Sequence, residues 1–298
     1  MTTELDVFVV GGTGVDTIVR VPRLPLPERE TIMVPPIERY VAHTGNGVAF
    51  GCHHLGLRTH LADVIGADPE GDQVRGAYAA AGLSFDHRTH PSGTRRSVNL
   101  VDPNGRRVSL YDGRHPVGMT VDPGLYRPAL ARTRHVHASL ADWARHALAE
   151  AAGAGPSTST DLHDWDGVQD YHRDFAYGAD LVFISTSALG GRTEETARDI
   201  LARGRAEAVV AMAGADGSYL ALPGGPLRHL PAATVPGPVV DTDGAGDAYV
   251  AAFLHGRLAG KDWRASMRAG SVAGAHACLT AGTHTSFITA EELARALA

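Results

Sequence analysis

Cysteine is scarce in this sequence: Cys52 and Cys278 are the only two among 298 residues. Two thiols make no disulfide framework. Both stand in stretches of small residues with helical character, which predicts apolar packing for them. Long apolar runs are missing too. Residues 1–6 carry no basic leader, and the apolar run 7–10 is too short for a signal peptide or a membrane span. The expectation is a cytoplasmic chain with no membrane partner. Basic clusters are also absent: Arg95-Arg96 and Arg106-Arg107 are only pairs, and the net charge is -6. Nucleic-acid binders usually carry a basic face, so no nucleic-acid partner is expected. The sixteen histidines form no HExxH pattern and pair with no CxxC, so no dedicated metal site is expected. The phosphate loop GxxxxGK[ST] does not occur.

What is present is an alternation of strands and helices. The run 7–10 reads as a buried strand ending in Gly11-Gly12-Thr13-Gly14, and residues 15–21 and 31–41 read as extended. Residues 45–55 and 71–81 read as helices around a strand at 59–65. The runs 96–101 and 107–111 flank Asp102-Pro103-Asn104-Gly105, a strong hairpin turn. Both runs alternate, so each is expected to have one wet face and one covered face. From residue 134 the rhythm is regular, with strands at 134–138, 157–161, 181–184 and 208–212. Helices at 141–152, 168–177 and 193–203 separate them. That rhythm predicts a mostly parallel sheet with helices on both faces. An edge hairpin over 218–230 and two helices, at 244–258 and 263–279, complete the chain. The expected architecture is one α/β domain over residues 1–298, with a small β appendage from segments near 14–41 and 94–112.

The segment 241–247, Asp-Thr-Asp-Gly-Ala-Gly-Asp, carries the chemistry. Gly244, Ala245 and Gly246 open an apolar helix. Small residues leave the backbone N–H groups uncovered, and the helix dipole adds partial positive charge, which suits an anion. Asp247 sits in the first turn, where a carboxylate can accept a proton from a hydroxyl group. A calcium loop would need further oxygen ligands and a terminal Glu, which residues 249–253 do not offer.

The stretch 239–250 closely resembles the C-terminal signature of the ribokinase-like (PfkB) carbohydrate kinases, DTxGAGD followed by a small residue and an aromatic. The likeness runs along nearly the whole chain. It includes the opening strand through Asp16, the helix start at Gly45, the run 61–71, the hairpin at 102–105 and the turn 213–217. It implies a three-layer α/β/α fold with a small β-sheet lid, and transfer of the ATP γ-phosphoryl group to a hydroxymethyl group of a sugar. Asp247 would then be the general base, and Gly244, Ala245 and Gly246 the anion hole. Asp16 would bind the acceptor. Thr242 would lie near the phosphates, and the nucleotide base between the turn at Gly214 and Gly217 and the last helix, near Ala275. ATP and Mg2+ are the implied cofactors, and a homodimer through the lid strands is expected by analogy.

Three positions depart from the family pattern. Ala42-His43 replaces the paired glycines before the substrate helix, and the family's Asn falls on Gly47, beside Asn46. His43 and Asn46 are therefore expected to contact the acceptor. Residues 185–188, Ser-Thr-Ser-Ala, stand where an Asn-x-x-Glu motif would organise magnesium, which predicts weaker metal binding and slow turnover. Met212 replaces a Thr on the nucleotide side. Asp161 ends a parallel strand, and ligands of open α/β sheets bind beyond such ends, so Asp161 or Asp164 is expected to face the site. Two other functions remain open at this stage. A nucleoside kinase would use an apolar patch of Ile32, Met33, Val98 and Tyr111. A catalytically weakened sugar-binding homologue would keep the fold alone.

Overall fold

Strand β1 (Leu5–Val10) is buried at every position, and its alternation sets the layers. Val7 and Val9 point into one apolar core and Phe8 and Val10 into the other. A strand buried on both faces must lie inside a sheet that is covered on both sides. The computed structural model describes residues 4–234 and 237–298. After β1 come β2 (Gly14–Arg20), β3 (Glu38–Ala42), α1 (Thr44–His54), β4 (Thr59–Ile65), α2 (Pro69–Ala81) and β5 (Ser84–Thr89). The hairpin β6 (Arg96–Val101) and β7 (Arg107–Asp112) leads through α3 (Arg127–Leu130) to β8 (Thr133–Ala138). Then follow α4 (Ala144–Ala154), β9 (Ser157–Asp161), α5 (Arg173–Gly178), β10 (Leu181–Ser185), α6 (Thr193–Arg203) and β11 (Ala208–Met212). The hairpin β12 (Ser218–Ala221) and β13 (Arg228–Leu230) precedes α7 (Ala245–Leu258), α8 (Trp263–Ala277) and α9 (Ala290–Leu297).

Nine strands form the main sheet in the order β13-β12-β11-β10-β9-β8-β1-β4-β5. All neighbours are parallel except the edge hairpin β11-β12-β13. Residues from α4, α5 and α6 fill the core on one face, and residues from α1, α2, α7, α8 and α9 fill the other. These are the three layers, α/β/α, that the resemblance implies. Four strands form a separate small sheet, β3-β2-β6-β7. One buried ion pair ties the two sheets together. Asp63 of β4 receives Arg95, just before β6, and also accepts from the Thr13 N–H at 2.7 Å.

Several elements differ from the sequence expectation. Of residues 31–41 only β3 is a strand, because Pro35 and Pro36 cannot donate to a ladder. Strand β5 is additional. The helix expected at 168–177 shortens to α5, because Asp166 accepts from the N–H groups of Val168 and Gln169 while Trp165 Nε1 donates to the Gln169 carbonyl. Those bonds hold residues 166–169 as a loop. Strand β6 alternates as expected, whereas β7 is exposed along its whole length at the edge of the small sheet. Helix α9 follows the two expected helices and opens on a capping box between Thr289 and Glu292. Cys52 is buried in α1 and Cys278 caps α8; both are free. No helix among the described residues is long and apolar enough to cross a membrane.

Candidate active site

The segment 241–247 lies where α7 begins, facing the small sheet. Gly244 is the N-cap with φ 79, a conformation that glycine adopts without strain. The N–H groups of Gly244, Gly246 and Asp247 have no backbone acceptor among the described residues, as expected for a first helical turn. Asp247 is buried in that turn. Its Oδ2 lies 2.7 Å from His284 Nε2, while Oδ1 makes no hydrogen bond with the described residues. Asp241 and Asp243 are buried as well. Arg20 of β2 pairs with Asp241 at 2.5 Å, and Arg107 of β7 pairs with Asp243. The small sheet therefore clasps this segment on both sides of the exposed Thr242. A cavity of about 610 Å³ lies between them, lined by Arg20, Asp102, Arg107, Val239 and Thr242 among others.

Asp16 lies on β2, and both of its oxygens are held near other elements. Oδ2 accepts from Asn99 Nδ2 at 3.1 Å. Oδ1 lies 3.2 Å from His43 Nε2 but is a buried acceptor with no well-aligned donor among the described residues. Burial pushes the Asp16 carboxyl up, but His43, His284 and Ser97 together leave it below the usual carboxylate range. His43 precedes α1 at φ 74, a strained setting for a residue with a side chain. Gly45 follows in the first turn of α1. A Cβ there would come within 1.9 Å of the Gly11 carbonyl, so only glycine allows α1 to meet the end of β1. Asn46 is buried, and its amide nitrogen is already engaged by the Val41 carbonyl and His284.

Asp161 ends β9 and is buried, whereas Asp164 is exposed. Burial raises the Asp161 carboxyl, the neighbouring Asp247 charge adds to this, and His163 opposes it. His163 is held at φ 53 and reaches Thr44 Oγ1 from Nε2 at 3.3 Å. The structure thus brings Asp16, His43, Asp161 and Asp247 to one end of the main sheet, with His284 behind Asp247. His284 and Asn99 belong to no motif in the sequence.

Ala275 lines a second cavity, about 760 Å³, together with Leu230, Arg264, Arg268, Val272 and His276. Gly214 and Gly217 do not line it. They form the turn behind it, where a Cβ on Gly217 would meet the Leu230 carbonyl at 2.1 Å. Residues 185–188 place no carboxylate near the site; Ser185 Oγ instead donates to Ser187 Oγ at 2.9 Å. Of the four residues named for an apolar patch, Met33 and Val98 are exposed, and Tyr111 has its ring 5.7 Å from that of His43.

The model of the pfkB family carbohydrate kinases matches residues 4–290. The acarbose 7(IV)-phosphotransferase of Actinoplanes sp. is 42% identical over 297 residues, covering 99% of both chains. The solved structure of the microbiome-derived acarbose kinase Mak1 superposes with a TM-score of 0.93 at 55% identity, covering 99% of each chain. The ribokinase of Thermotoga maritima shares the fold, with a TM-score of 0.80 at 19% identity over 98% of this chain and 99% of its own. The chain belongs to the pfkB family of carbohydrate kinases.

Proposed function

We propose that this kinase transfers the γ-phosphoryl group of ATP to a hydroxymethyl group of acarbose or of a closely similar sugar. The observation that carries the reading is the buried Asp247, set in the first turn of α7 next to open backbone N–H groups and with one carboxylate oxygen unengaged. Full-length likeness to two acarbose kinases supports the acceptor. Asp247 Oδ1 takes the proton of the attacking hydroxyl. Gly244 and Gly246 present free N–H groups to the phosphoryl oxygens as charge builds on them, whereas the Ala245 N–H, expected in the same anion hole, is already donated to the Thr242 carbonyl at 3.3 Å. Asp16 Oδ1, a buried acceptor without an aligned donor, receives another hydroxyl of the acceptor. His43 borders that contact, and Asp161 faces it from β9. Gly45 and Asn46 shape the acceptor side by holding α1 in place.

The small sheet acts as the lid, with Arg20 and Arg107 clasping the segment around Thr242, near the phosphates. The cavity at Ala275 suits the nucleotide, offering apolar walls for the base and Arg264 and Arg268 for negative charge. The turn at Gly214 and Gly217 supports its wall from behind. For Mg2+ the fit is poor. No group of three ligating side chains among the described residues could hold the ion. Magnesium commonly keeps its waters and rides on substrate phosphates, so it would enter here with ATP, and no step is assigned to a protein-bound ion. ADP formation with acarbose, ribose, fructose and adenosine as acceptors tests the reading. Acarbose-stimulated ADP release is expected, and stimulation by ribose or adenosine alone would reject the acceptor.

A further inference from the structure

A buried imidazole stands behind Asp247. His284 Nε2 lies 2.7 Å from Asp247 Oδ2, and Nδ1 on the far side of the ring lies 3.0 Å from Asn46 Nδ2. The same Asn46 nitrogen is 3.2 Å from the Val41 carbonyl oxygen. A carbonyl only accepts, so the Asn46 atom facing it is the NH2 group. That NH2 group also faces His284 Nδ1, which must therefore present its lone pair. A neutral imidazole has one N–H, and here it falls on Nε2 and donates to Asp247.

The seat of the ring is built to its shape. A Cβ on Gly47 would come within 2.2 Å of Nε2, and one on Gly244 within 2.7 Å of Cδ2. Gly47 is one of the departures from the family pattern, and the close approach of the ring accounts for it. The His284 side chain is 2% exposed, and its backbone is held at φ 57. The arrangement spends strain and leaves Asn46 Oδ1 buried without a partner. Such costs persist where the surrounding structure over-determines them.

We propose that His284 is the positioning residue of phosphoryl transfer, a neutral Nε2–H donor locked by Asn46 that fixes Asp247 with Oδ1 toward the acceptor. This rests on the reading of Asp247 as general base. In the transfer, the acceptor oxygen bonds to the γ-phosphorus while the bond from that phosphorus to the β–γ bridging oxygen breaks. The electron pair leaves with ADP, and the hydroxyl proton passes to Asp247 Oδ1. His284 cannot relay this proton onward, because Nδ1 faces an N–H group. It remains a donor to Oδ2 throughout, and the proton leaves from Asp247 after product release.

The test compares acarbose phosphorylation by wild type, His284→Ala, His284→Gln and Asp247→Asn, with thermal unfolding of each. Losing one hydrogen bond to a charged group predicts that His284→Ala lowers kcat by about 10- to 100-fold, with both KM values within about threefold. His284→Gln, whose amide N–H can reach Oδ2, should recover most of kcat. Unchanged kcat in His284→Ala, or a rise in KM alone, overturns the proposal while Asp247→Asn remains inactive. A fully active Asp247→Asn overturns the base assignment instead. Nitrogen-15 NMR of histidine-labelled wild type decides the case even where variants misfold. The expected signature is a proton on His284 Nε2 and none on Nδ1, and protons on both nitrogens reject the locked neutral ring.

Discussion

His43 Nε2 stands 3.2 Å from Asp16 Oδ1, presented from a backbone at φ 74. A histidine in that conformation is strained by about 1–3 kcal/mol. The strain is met beside a carboxylate proposed to bind the acceptor. The account predicts opposite effects on stability and binding for His43→Gly. The melting temperature should hold or rise, while KM for acarbose rises about tenfold or more. Differential scanning fluorimetry and steady-state kinetics on the same preparation check both. A lower melting temperature with unchanged KM would assign His43 to the fold instead.

The Asp63–Arg95 pair joins the main sheet to the small sheet with both side chains buried. Burial opposes the Arg95 charge, but Asp63, together with Tyr111 and Tyr171, outweighs it and raises the pKa. Arg95→Ala would strand the Asp63 carboxylate, and losing one partner of a buried pair costs about 3–5 kcal/mol. The urea midpoint should fall accordingly, and Asp63→Asn combined with Arg95→Met should recover most of the loss. Equal midpoints for Arg95→Ala and wild type would contradict this.

Two core histidines make acid stability predictable. Burial holds His135 down at about 4 and His137 at about 3, with His135 adding to the depression of His137. Both share Ser159 as a hydrogen-bond partner. The unfolded chain protonates its histidines near the ordinary value of 6.5, so between about pH 6.5 and 4 it binds more protons than the folded chain. Stability therefore falls as pH drops through that window, by roughly 2 kcal/mol per histidine at pH 5. His135→Gln and His137→Gln should flatten the slope of unfolding free energy against pH from 7 to 5. An unchanged slope would show that these rings do not carry it.

Much of this was legible in the sequence for identifiable reasons. Strands β4, β9 and β11 and helix α6 fall on their expected residues, because apolar runs between turn residues leave little choice. Strand β5 was not legible. It is an edge strand with a single apolar residue, Phe85, so it carries no buried periodicity. Helix α9 had a readable signal, the Thr289–Glu292 capping box, but its short amphipathic run is weak alone. Asp16 and Asp247 were legible because the motif places them. His284 was not, since it lies 37 residues from Asp247 in a loop, and only the fold brings the two together. Gly47 looked like a lost asparagine, but its meaning is steric and appears only with the ring against it.

The central claim is that Asp247 deprotonates the acceptor during transfer from ATP to acarbose. The most direct measurement is kcat for acarbose phosphorylation by Asp247→Asn, with ATP affinity measured alongside by calorimetry. Removing a general base predicts a fall in kcat of about 10²- to 10⁴-fold, while the Kd for ATP stays within about twofold. Turnover within about threefold of wild type would contradict the account.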